Sequence, residues 1–185
     1  MSTPSSSPVP TGATNGTGTT AIITGGSRGL GFEVARGLAA QGYHLALIAN
    51  DPQGLAQARE KLIAEFPQCT VTTFPIDFEV TTPDALDRAR QQLSEVRASI
   101  ATPTALVIAH AVMSEKMSKT LRTTDAEWRR VMSINLDSTF MVVNELVPPM
   151  AEARQGRVVI FSACLGRMSG PGNAGGLAPY RISKA

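Results

Sequence analysis

Short runs of apolar residues alternate with segments of helical period along most of this chain, and that alternation constrains its fold more than any other feature. The runs at 20–24 (TAIIT), 44–49 (HLALIA) and 105–109 (ALVIA) are apolar at consecutive positions rather than at every second one. Successive side chains of a strand point to opposite faces, so runs of this kind are covered on both sides. Further strands are expected over 70–75, where Thr70, Val71, Thr72 and Thr73 are all β-branched, and over 157–162. Helices are expected between them. The first spans 29–41, where Leu30, Val34 and Leu38 recur at i, i+4 and i+8 and Gly42 follows as a cap. Others span 53–65, 83–97 and a long 125–147 that Pro148 stops, and a last one begins near Tyr180 after a glycine-rich loop over 166–178. Strand and helix repeated in this order give an α/β architecture, a doubly wound parallel sheet with helices on both faces.

The 185 residues are 43% apolar and 17% charged, the make-up of one globular domain, expected over 19–185. Residues 1–18 are dominated by Ser, Thr, Pro and Gly, carry no charge and are expected to form a disordered tail. They also lack the arginines of a transit peptide. The net charge of +2 is scattered, which argues against nucleic acid as a partner. No run approaches the roughly 20 apolar residues of a membrane span, and Cys69 and Cys164 form no close pair. A reducing, cytoplasmic setting is expected, with both cysteines as small core residues.

Thr24-Gly25-Gly26-Ser27-Arg28-Gly29-Leu30-Gly31 joins the first strand to the first helix. Glycines there let the backbone approach a diphosphate, and the helix start offers unpaired N–H donors and a partial positive charge. The competing reading is a tight turn with no ligand. A Walker loop is excluded, since no Gly-Lys-Ser/Thr follows. Further along, Tyr180 and Lys184 stand four apart, a spacing that places both on one helical face. A cation beside a phenol in a site of low dielectric favours phenolate, which equips the pair for proton transfer.

Thr-Gly-x-x-x-Gly-x-Gly after a first strand, together with Tyr180-Arg181-Ile182-Ser183-Lys184 after a fifth, resembles the short-chain dehydrogenase/reductase family. Asn135-Leu136-Asp137-Ser138-Thr139-Phe140 matches its Asn-Leu-x-x-x-Phe pattern, and Asp77 before Phe78 its adenine-binding acid. The resemblance covers 20–185. It implies a three-layer Rossmann-type sheet and hydride transfer between NADP(H) or NAD(H) and a carbonyl or alcohol substrate. Implied catalytic residues are Tyr180 as acid/base, Lys184, Asn135 positioning a water, and Ser162. Implied cofactor contacts are Gly25, Ser27, Arg28, Gly29, Leu30, Gly31, Asn50, Asp77, Phe78, Ala109, His110, Ala111, Asn135, Tyr180 and Lys184. No metal is implied.

Departures from the family pattern sharpen these expectations. The strand-end serine falls on Ala163 by register, with Ser162 one step earlier. His110 and Val112 stand where the family favours an amide and a glycine, and 18 positions separate Ser162 from Tyr180, with Gly170, Gly172, Gly175 and Gly176 between them. At the end of the second strand, Ala49 replaces an NAD-selecting carboxylate, and Arg28 is placed to meet a 2′-phosphate. NADP(H) is therefore the expected cofactor, with NAD(H) the second candidate because Asp51 lies close by. The family fold continues beyond the fifth strand, so the domain is expected to be incomplete at its carboxyl end. The alternative function is a non-catalytic or truncated NADP(H)-binding relative, regulatory or inactive. A homo-oligomer is expected of a full-length form, while Trp128, Met132 and Phe140 are expected in the core.

Overall fold

The computed structural model describes residues 19–100, 103–114, 120–167 and 177–185. The segment 1–18 and the four glycines between 170 and 176 lie outside the described residues. Five parallel strands, β1 (Thr20–Thr24), β2 (His44–Ala49), β3 (Val71–Pro75), β4 (Ala105–Ile108) and β5 (Arg157–Ile160), lie in the order β3-β2-β1-β4-β5. Between them run α1 (Gly29–Ala40), α2 (Pro52–Glu65), α3 (Pro83–Ser99), α4 (Asp125–Met132), α5 (Ser138–Leu146) and α6 (Pro148–Glu152). The short α7 (Cys164–Arg167) and α8 (Ala178–Ser183) follow β5. This is the doubly wound Rossmann-type sheet expected from the alternation.

Alternation along each buried strand divides the core. Ile22, Ile48, Leu106 and Ile108 face one layer with Leu93, Met141 and Leu146, while Ile23, Leu47 and Val107 face the other with Ala35, Leu55 and Leu62. Each central strand thus buries residues on both faces. β5 does not: Val158, Val159 and Ile160 are 41–51% exposed at the sheet edge. The chain reverses direction across β1, since β2 leaves to one side and β4 pairs on the other. In sheets of this kind that point, at the carboxyl ends of the strands, opens a crevice.

Several expectations need correction. On α1 the face against the sheet is Gly31, Ala35 and Ala39, while Leu30 is 67% exposed. Close approach explains it: a Cβ on Gly31 would stand 2.2 Å from the carbonyl oxygen of Gly25, so only small residues fit beneath the helix. The long helix expected over 125–147 is interrupted by a π-helical turn, Ser133–Asp137. Three side chains draw on the backbone there: Ser133 Oγ accepts the Val80 N–H, Ser138 Oγ donates to the Ile134 carbonyl, and Thr139 Oγ1 to that of Asn135. Such back-bonds four residues apart compete with the helical ladder. The helix ends at Leu146, just before Pro148 as expected, and Pro148 then opens α6, because the first turn has no use for the N–H that proline lacks. Phe140 is also 67% and Trp128 38% exposed, so neither belongs to the core, and Cys164 is exposed where Cys69 is buried.

Candidate functional site

A cleft of about 270 Å³ opens over the carboxyl ends of β1, β2 and β4. Its floor is the turn of Gly25, Ser27, Arg28 and Gly29, with Ala49 and Asn50 on one side and Asp77 with Phe78 on the next. Ala109, His110, Ala111, Val112 and Ile134 close the far end. Gly25 has φ +70°, and a Cβ there would lie 2.8 Å from the His110 nitrogen, so the turn and the loop after β4 are packed backbone to backbone. The N–H groups of Gly25 and Gly26 already donate to the Ile48 carbonyl at 2.8 and 3.3 Å. The open donors are therefore those of the first turn of α1, where helix geometry leaves N–H groups without intrahelical partners.

At the β2 end the carboxylate of Asp51 is committed. Its Oδ1 accepts the Gln53 N–H at 3.1 Å as the cap of α2, whose first residue is Pro52. Asn50 and Arg28 remain at the exposed lip. Asp77 makes a local turn, accepting the Glu79 N–H at 3.0 Å, and Phe78 packs on the His110 ring at 4.4 Å between centroids.

His110 is buried and bonded at both nitrogens. Nδ1 lies 2.6 Å from Thr24 Oγ1 and Nε2 2.7 Å from Ser138 Oγ. Because the Ser138 hydroxyl gives its proton to the Ile134 carbonyl, it must accept from His110. The ring is then the Nε2–H tautomer, and Thr24 donates to Nδ1. Burial pushes the imidazole down to about 4, and the positive charge of Lys184 adds to the effect. A neutral ring thus ties β1, the β4 loop and the π-turn together.

Asn135 forms a second clasp. Its Oδ1 accepts the Val112 N–H at 2.8 Å, and its Nδ2 donates to the Val112 carbonyl at 3.0 Å and to Ser183 Oγ at 2.9 Å. Both amide hydrogens are in use. Lys184, expected on the helix with Tyr180, instead lies just past the end of α8. Its Nζ donates to the Phe161 carbonyl at 2.9 Å, while Ser162 Oγ donates to the carbonyl of Lys184 at 2.6 Å. Burial lowers the affinity of the Lys184 amine for its proton. The end of β5 and the end of α8 are thereby stapled together.

The expected residues therefore fall into two adjoining groups. Gly25, Ser27, Arg28, Gly29, Asn50, Asp77, Phe78, Ala109, His110 and Ala111 line the cleft. Leu30, Gly31, Asn135, Ser162, Tyr180 and Lys184 do not line it. Gly31 is on the buried face of α1 and Leu30 turns outward; Asn135 is bonded to Val112 of the cleft and to Ser183 between Tyr180 and Lys184, and Ser162 to the Lys184 carbonyl. Sequence reasoning missed Thr24, Ser138 and Ser183 as partners. The available signal was a set of hydroxyls inside the matched motifs, at spacings that permit back-bonding to the helix. Among the described residues no helix is long and apolar enough to cross a membrane, and no three His, Cys, Asp or Glu side chains are grouped to hold a metal.

A parallel sheet whose strand order reverses at a glycine turn, with a cleft above that turn, defines a Rossmann-type nucleotide-binding fold. Residues 19–185 match the family described as short chain dehydrogenase, and the chain belongs to that family. Among its relatives, the 3-oxoacyl-(acyl-carrier-protein) reductase FabG of Staphylococcus epidermidis is 27% identical over 154 residues, 83% of this chain and 60% of the relative. The 3-oxoacyl-(acyl-carrier-protein) reductase MabA of Mycobacterium bovis is 28% identical over 167 residues, 89% of this chain and 57% of the relative. The chain thus spans about three fifths of the curated relatives it matches. A solved metagenomic short-chain oxidoreductase in complex with NADP shares the fold, with a TM-score of 0.78 at 24% identity over 92% of this chain and 72% of the other. The 3-oxoacyl (acyl-carrier-protein) reductase of Agrobacterium tumefaciens C58, solved with NADP bound, gives 0.77 at 25% identity over 92% of this chain and 60% of the other.

Proposed function

We propose that the protein is an NADP(H)-dependent oxidoreductase that interconverts a small-molecule carbonyl and its alcohol. One observation carries the reading: the cleft over the glycine turn and the Tyr180/Lys184 segment are joined by a continuous bonded path, Val112 to Asn135 to Ser183. The residues fit a dinucleotide. At Gly29, in the cleft floor, a Cβ would meet nothing within 4 Å, which leaves that space to a ligand, and the first turn of α1 offers N–H donors to a diphosphate. Asp77 and Phe78 would border the adenine, and Arg28 with Asn50 would meet a 2′-phosphate, since Asp51 is occupied as a cap. The nicotinamide supplies the hydride when bound. Tyr180 would pass its hydroxyl proton to the carbonyl oxygen, with Lys184 and the Asn135 clasp fixing the segment that carries it. Relatives that are carbonyl reductases, and one at 25% identity solved with NADP, support the same reading.

The test uses the full chain. NADPH binding is followed by fluorescence and its oxidation by a ketone and aldehyde panel, in the wild type and in Tyr180→Phe. Loss of a general acid typically costs about 10²–10⁴-fold in rate, so Tyr180→Phe should bind NADPH and fail to turn over. Full activity in that variant refutes the role. A second reading, a non-catalytic NADP(H)-binding relative, draws on Ser162, whose hydroxyl already donates to Lys184, and on Ala163 at the neighbouring position. It predicts binding without turnover in the wild type. The exposed thiol of Cys164 supports a reducing, cytoplasmic setting. Exposed Leu136 and Phe140 on and beside α5 support self-association.

A further inference from the structure

Ser183 lies between the two residues of the Tyr-x-x-x-Lys pattern, is 8% exposed, and is bonded on both sides. The direction of its bonds follows from its neighbours. The Val112 N–H can donate only to Asn135 Oδ1, which fixes the amide so that Nδ2 faces both the Val112 carbonyl and Ser183. Nδ2 has no lone pair to offer, so Ser183 Oγ accepts from it, and the serine proton goes to the Tyr180 carbonyl at 2.8 Å. That carbonyl belongs to the last turn of α8, where helix geometry leaves acceptors without partners.

α8 has six residues; Ser162, Lys184 and Arg181 hold its end to the segment after β5, and the Ser183 contact ties it to Asn135 of the π-turn. A helix this short does not hold its own geometry in water. We infer that Ser183 is a positioning residue: its hydroxyl sets Tyr180 and Lys184 relative to the cleft by relaying the Asn135 clasp on Val112 into the carbonyl of Tyr180. The inference deepens the proposed reaction and rests on it. Ser183 does not line the cleft, so its removal should disturb the reacting end and leave nucleotide affinity in place.

The experiment compares Ser183→Ala, Ser183→Thr and Asn135→Ala with Asn135→Ala/Ser183→Ala in the full chain, measuring kcat and KM for carbonyl reduction and NADPH affinity. Misplacement of a reacting group by about an ångström costs on the order of 10²-fold. Ser183→Ala should lower kcat roughly 10- to 100-fold with NADPH affinity held within about twofold, and Ser183→Thr, which keeps the hydroxyl, should recover most of the loss. The double variant should fall no further than Asn135→Ala, because the relay is already cut. Unchanged kcat in Ser183→Ala, an equal loss of NADPH affinity, or no recovery in Ser183→Thr overturns the inference. If the wild type reduces no carbonyl, the proposed function fails on its own, and hydrogen exchange decides the relay. The Val112 N–H should then exchange about tenfold faster in Ser183→Ala than in wild type, and unchanged protection sinks the relay.

Discussion

Acidification should destabilise this fold through one imidazole. His110 is held neutral in the folded chain, with its affinity for a proton pushed down to about 4 by burial and then by the charge of Lys184, against an ordinary value of 6.5. Between those two values the unfolded chain binds a proton at this site and the folded chain does not, so stability rises with pH through the window and is lost as pH falls through it. Each unit of difference corresponds to about 1.4 kcal/mol. The full effect is roughly 3 kcal/mol near pH 4, and about 2 kcal/mol has gone by pH 5. Urea unfolding of the wild type and of His110→Gln, from near neutrality to about pH 5, isolates the term, because His44 and the carboxylates are common to both. The wild type should lose about 2 kcal/mol relative to the variant over that range. Parallel curves would mean that the ring is not held neutral, and the assigned tautomer would go with it.

Other consequences follow from single contacts. Gly31→Ala drives a methyl to 2.2 Å from the Gly25 carbonyl oxygen, so it should cost roughly 1–3 kcal/mol in denaturant unfolding and weaken NADPH binding by distorting the turn. Asp51→Ala should cost about 1 kcal/mol through the lost cap of α2 while leaving the preference between NADPH and NADH unchanged. A marked fall in NADH affinity would show that the carboxylate reads the ribose instead. Arg28→Ala, at the lip of the cleft, should weaken NADPH about tenfold or more and NADH little, measured by fluorescence titration.

The sheet was legible because its central strands carry consecutive apolar residues, a pattern that burial on both faces explains. The orientation of α1 was not. Of the apolar row Leu30, Val34 and Leu38, the last two pack partly buried at the margin of the core and Leu30 is exposed, while the helix turns Gly31, Ala35 and Ala39 inward. What decides is the distance to the glycine turn rather than hydrophobic area, and distance is a property of the packed pair, not of the helix alone. The π-turn was hidden for a similar reason. Ser133, Ser138 and Thr139 are tolerated on any helix surface; here Val80 and His110 sit where the hydroxyls of Ser133 and Ser138 can reach, and Thr139 bonds back to the Asn135 carbonyl.

At the site, the glycine turn could be read in the sequence because it depends on one element, whereas Lys184 falls just past the end of α8 and not on a helical face shared with Tyr180. The clasp and the relay could not be read, since they join loops distant in sequence: Val112 to Asn135, Asn135 to Ser183, Thr24 to His110 to Ser138. The substitutions at His110 and Val112 take on a meaning there. An imidazole spans the gap between β1 and the π-turn with one acceptor and one donor, and Val112 lends its backbone, not its side chain, to Asn135. The two departures thus differ in kind: Val112 serves through its main chain, which does not depend on the side chain at that position, while His110 serves through its ring, which does.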